Sequence, residues 1–223
     1  MRSPVRSRLT SAAAMCNAAC RRLTAGGAGL AVLDEAGIAC LSAGYMTCRI
    51  GDAADALYRG RMSFANETAQ SLGCRTGMAV ADASSLLVER AARRPDVLSQ
   101  PTGDRSEQRS LLVGAEPRVW VLDSASLVTA ADAGGVVVTG SHGGLVGGLP
   151  SRALKVPAAA AIFDVAGGGI DGAGYTTLPA LDARGVAAAT VASPSARIGD
   201  GLSSYEDGVP SAVNKTAASV GSG

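Results

Sequence analysis

The sequence predicts an α/β fold: a mainly parallel sheet with flanking helices, Rossmann-like in arrangement, in which one βαβ unit is partly duplicated. Three observations predict it. Short apolar runs alternate with glycine-punctuated helical segments, the pattern of parallel strands joined by helices. The runs are near-continuous in apolar residues rather than alternating, as expected for strands covered on both faces. Residues 33–73 also repeat at 181–221 without a gap, with 15 identities in 41 positions, where chance in an Ala/Gly-rich chain would give about four.

The repeat pairs Leu33-Asp34 and Gly37 with Leu181-Asp182 and Gly185, and Arg49-Ile50-Gly51-Asp52 with Arg197-Ile198-Gly199-Asp200. Further on it pairs Gly60, Ser63, Asn66, Thr68, Ala69 and Gly73 with Gly208, Ser211, Asn214, Thr216, Ala217 and Gly221. What both copies keep is what the fold reuses. What differs marks where a single site can specialise.

Strands are predicted at Ala12–Cys16 and Ile38–Ser42 in the first copy. In the second they are predicted at Val119–Leu122, Val136–Thr139, Ala158–Phe163 and Val186–Ala192, with a helix over 171–183. Residues 79–95 have the spacing of an amphipathic helix, and the polar, turn-rich stretch 96–110 is predicted as a connector. The organisation expected is one composite domain over 1–223, with lobes 10–75 and 115–223 joined by that helix and loop.

Composition excludes several function classes. A net charge of +1 leaves no basic footprint for nucleic acid, and no apolar run approaches the roughly 20 residues of a membrane helix. Residues 1–33 carry five arginines and no acid, the composition of an address peptide. The repeat frame nevertheless runs back through this region, so an integral strand is expected there. Five cysteines, Cys16, Cys20, Cys40, Cys48 and Cys74, lack zinc or redox spacing. Reduced thiols, a cytoplasmic protein, no metal and no cofactor are expected.

In open parallel sheets ligands bind at the carboxyl ends of the strands. Those ends carry Asp123 and Ser124, Ser141 and His142, Asp164, then Ser193 and Ser195, followed by Arg197 and Asp200. His142 is the only histidine and stands in a glycine-bounded loop, where an imidazole can move protons near neutral pH. Asp164 or Asp123 would orient it, and Ser124 or Ser195 would serve as nucleophile or substrate contact. Ser141, Gly143, Gly144 and Gly168 would contact substrate, the glycines through backbone N–H groups aimed at an oxyanion. Arg197 would clamp an anion with Asp200 beside it, although retention of Arg-x-x-Asp in both copies favours a structural pair.

Ser141-His142-Gly143-Gly144 is similar to the histidine loop of caspase-like peptidases. The next strand, however, ends Phe163-Asp164 where that family carries its cysteine, which removes that chemistry. Met15-Cys16-Asn17 resembles the aspartate/glutamate racemases, but the second copy has no cysteine to complete a two-thiol pair. No G-x-S-x-G elbow and no G-x-x-x-x-G-K-[ST] loop occurs. The function expected is hydrolysis, or a related acid/base isomerase or lyase reaction, on a small polar, anionic substrate. The alternatives are a non-catalytic small-ligand sensor and a homo-oligomeric scaffold.

Overall fold

In the computed structural model, residues 13–17, 28–93 and 107–221 are described. The described residues form two sheets flanked by helices. The first comprises β1 (Ala13–Asn17), β2 (Cys40–Gly44) and β3 (Met62–Ala65), with α1 (Ala28–Glu35), α2 (Ala53–Arg59), α3 (Glu67–Ser71) and α4 (Val80–Arg93). The second comprises β4 (Arg109–Val113), β5 (Val119–Leu122), β6 (Val136–His142), β7 (Ala160–Asp164), β8 (Ala187–Val191) and β9 (Pro210–Val213). Its helices are α5 (Thr177–Asp182), α6 (Gly201–Glu206) and α7 (Lys215–Val220).

Strand order in the larger sheet follows chain order. β5 to β8 run parallel, while β4 and β9 close the two edges antiparallel. The architecture is therefore α/β with a mixed sheet, which corrects the expectation of a mainly parallel one at its margins. The expected helix over 171–183 is also divided. Asp171 and Gly172 take φ of 56° and 65°, which confines Ile170–Tyr175 to 3-10 turns before α5 begins. Of the predicted 96–110 connector, residues up to 106 lie outside the described residues, and Arg109 and Ser110 already belong to β4.

Burial follows the apolar runs. Leu122, Val137, Ala161, Phe163, Leu181 and Ala188 form the core of the large sheet, and Leu41, Met62, Ala69, Val80, Ala83 and Leu87 that of the small one. α4 contributes Val80, Ala83 and Leu87, one helical face, to the latter. Cys40, Cys48 and Cys74 are buried in this lobe, and burial pushes the Cys40 and Cys74 thiols above their ordinary pKa.

The same hydrogen bonds recur at the offset of the sequence repeat. Asn66 Oδ1 accepts from the Cys40 and Ala69 amides while its Nδ2 donates to Ile38 O. Asn214 does likewise with Ala188, Ala217 and Val186. Asp34 accepts from Thr68 N and Oγ1, and Asp182 from Thr216 N and Oγ1, which holds both carboxyls below the usual range. Ala13 faces Cys40 as Ala161 faces Ala188. The ladders β2–β3 and β8–β9 slip at matching positions, Ser42/Ala43 and Thr190/Val191.

The sheets meet at a small apolar joint of Ile50, Ala166 and Ala173, with Tyr45 and Ile198 packed against it. Both copies of the Arg-Ile-Gly-Asp segment thus deliver their isoleucine to one place. Ile170 N donates to Tyr45 O, and Arg49 Nη2 pairs with Asp171 at 2.7 Å across the joint.

Candidate functional site

The carboxyl ends of β6, β7 and β8 lie beside this joint. The ladder between β6 and β7 is irregular: Val138 faces Ile162, but the next pair is His142 with Asp164. β6 therefore uses two more residues than β7 over this stretch. A regular ladder would set Gly140 opposite Asp164, so the bulge is what brings the histidine there, a device common beside functional sites. Gly140 O, turned out of the ladder, accepts from Gly199 N at 2.8 Å. Only glycine fits there, since a Cβ would lie 2.3 Å from Asp200 N.

His142 is mostly buried. Its Nδ1 accepts from the Gly144 amide at 3.2 Å, which leaves the proton of the neutral ring on Nε2. Burial lowers its pKa below the usual histidine value. The imidazole is thus poised as a neutral donor rather than a cation.

Asp164 is fully buried. Its Oδ1 accepts from Ser193 Oγ and from Ala166 N, both at 2.6 Å, whereas Oδ2 is buried without a hydrogen-bond partner among the described residues. Burial raises the pKa of this carboxyl, and the Ser193 and Ala166 donors offset part of that rise. Ser193 Oγ in turn accepts from Gly167 N at 2.9 Å, so its hydroxyl is fixed between loop and carboxyl. The loop itself is unusual. Ala166 has φ 52° and is followed by Gly167, Gly168 and Gly169 at 77°, 81° and 69°. A left-handed alanine costs about 1 kcal/mol, and such strain concentrates where a backbone must be held for function.

Other sequence-predicted residues have different tasks. Asp123 does not orient His142: its carboxylate accepts from Gln108 N and Gly201 N, tying β4 to the start of α6. Ser124 caps a 3-10 turn and bonds Ser126, and Ser195 Oγ donates to Ala192 O in its own loop and accepts from Val209 N in the loop after α6. Ser141 Oγ receives the Ala125 amide. The glycine amides expected to serve an oxyanion are already engaged, Gly143 N with Asp164 O, Gly144 N with His142 and Gly168 N with Val165 O. Arg197 Nε pairs with Asp200 at 2.9 Å, and Asp200 caps α6 through Ser203 N.

Ser193 is the residue sequence reasoning named as a strand end without giving it a role. Its signal was available in the repeat: at the common offset, Asp164 and Ser193 correspond to Cys16 and Tyr45, so this pair belongs to the second copy alone. A groove lined by Leu57, Tyr58, Ala81, Ser84, Ser85, Val88 and Glu89 lies between α2 and α4 and includes none of the strand-end residues. Compared with protein-family models, with curated proteins and with solved structures, the chain matches none.

Proposed function

We propose that the protein is a small-molecule hydrolase, or a related acid/base enzyme, acting on a small polar substrate at the ends of β6, β7 and β8. The observation that carries this reading is a buried carboxyl oxygen, Asp164 Oδ2, without a hydrogen-bond partner among the described residues, on the strand position paired with the only histidine of the sequence. A carboxylate with a raised pKa binds a proton more tightly than ordinary aspartate and is the stronger base. In the proposed reaction Asp164 Oδ2 takes a proton from the attacking water. His142 Nε2–H donates to the substrate oxygen on which negative charge develops. Asp164 then returns the proton to the leaving group. Ser193 and Ala166 hold Oδ1, so the carboxyl cannot rotate Oδ2 out of place.

We further infer that the chain arose by partial duplication of a βαβ unit within a Rossmann-like arrangement. The recurrence of the Asn66 and Asn214 brackets supports this. Among the described residues the free thiols of Cys48 and Cys74 support a reducing, cytoplasmic setting.

The reading is tested with p-nitrophenyl acetate and p-nitrophenyl butyrate as probes. Turnover by the native chain is expected to fall at least about 100-fold in Asp164→Asn and about 10-fold or more in His142→Ala, with circular dichroism unchanged. Native-rate turnover in both variants, or none in the native protein, would overturn it.

A further inference from the structure

We propose that the two Arg-Ile-Gly-Asp loops form a clamp on the segment carrying His142, so that Gly51 in the first lobe is a positioning residue for a site in the second. The loops grip this segment from opposite ends. On the near side, two residues before His142, Gly199 N donates to Gly140 O at 2.8 Å, and the Asp200 backbone fills the space a Gly140 side chain would need. On the far side, Gly147 N donates to Gly51 O at 2.8 Å. There the chains touch so closely that a Cβ on Gly51 would lie 2.8 Å from Leu145 O, and one on Gly144 would lie 2.8 Å from Ile50 O.

Gly51 and Gly199 share the left-handed backbone, with φ of 83° and 79°, and Asp52 and Asp200 begin α2 and α6 in the same way. The clamp is therefore built from one local structure used twice. Its effect on His142 is direct, because Gly144, which the first loop presses on, is the residue whose amide is bonded to Nδ1. The clamp fixes both the bulge that sets His142 beside Asp164 and the bond that keeps the proton on Nε2. Retention of the motif in both copies then has a cause, although only one copy carries the acid and the imidazole. The clamp's use in catalysis rests on the acid/base reading above, but its geometry does not.

The test uses the native chain and two variants, read by imidazole nitrogen NMR without any substrate. Gly51→Ala is expected to move the His142 pKa toward the free value of about 6.5 and to mix its tautomers. Gly37→Ala is the control, since Gly37 has φ 67° with open space around it and carries the backbone strain without the clash. An unchanged His142 in Gly51→Ala, or equal changes in both variants, would overturn the proposal. If Gly51→Ala does not fold, amide exchange in the native protein decides. Gly147 and Gly199 N–H should both exchange at least about 100-fold more slowly than open loop amides, and a fast Gly147 would refute the clamp. A native chain without esterase activity, together with a shifted His142 in Gly51→Ala alone, would count against the reaction and leave the clamp standing.

Discussion

Replacing Asp132 with alanine is expected to destabilise the protein by about 3 kcal/mol, the lower end of what breaking a buried ion pair costs when one charge is left behind. Asp132 is fully buried and pairs with Arg109 Nη2, while its other oxygen accepts from Thr129 N and, at longer range, from Thr129 Oγ1. The Arg109 guanidinium lies 3.8 Å from the centroid of the Trp120 ring, so the carboxylate holds β4, β5 and the turn before β6 as one unit. Without it, a guanidinium that is largely covered and the Thr129 amide lose their acceptor together. Urea unfolding checks this as a lower midpoint at unchanged slope. Asp132→Asn, which keeps an oxygen for Thr129, should lose less. A loss below about 0.5 kcal/mol in Asp132→Ala would mean that the pair behaves as a solvated surface contact.

Gly140→Ala is the second large effect. The added methyl would meet Asp200 N at 2.3 Å, Gly199 C at 2.6 Å and Asp200 C at 2.9 Å, all backbone atoms that cannot rotate away. Either the strand retains its bulge under strain, or the loop lifts and the Gly199 to Gly140 bond is lost with the approach of α6. We expect a cost of about 3 kcal/mol, at the upper end of ordinary overpacking. Gly148→Ala in the same region makes the comparison, because Gly148 has φ 68° with nothing near its missing Cβ. It should cost about 1 kcal/mol from conformation alone. Equal unfolding midpoints for the two variants would show that the loop does not rest on β6.

Much of this architecture was legible in the residues. β5 to β8 read as apolar runs, α4 as a helical stripe, and β1 and β2 through the repeat. The antiparallel edges were not legible. β9 begins with Pro210, which reads as a breaker yet is tolerated at the first position of an edge strand. β3 is the mixed four-residue segment Met-Ser-Phe-Ala, and β4 starts within a stretch whose polarity suggested a connector. At the site, His142 and Asp164 could be named separately from their places at strand ends. Their pairing could not, because it depends on a two-residue bulge that follows from the contact of a distant loop with Gly140. Nor could composition say which glycine amides were already spent, or that Ser193 and not Ser195 would reach the acid.

The proposed chemistry depends on Asp164, and a carboxyl-carbon NMR titration of that residue is its sharpest test. Burial is expected to keep its pKa above the ordinary aspartate value of about 3.9. The sign for stability follows. Between the unfolded and folded pKa values the native state holds the extra proton, so this group's contribution to stability falls as pH rises through that window. Asp164→Asn should remove that slope from urea midpoints measured across it. A raised pKa in the native chain, with the slope lost in the variant, is the expected result. A pKa at or below the ordinary value would mean that the carboxylate is fully satisfied within the fold, and the proposed acid/base chemistry would have no group to perform it.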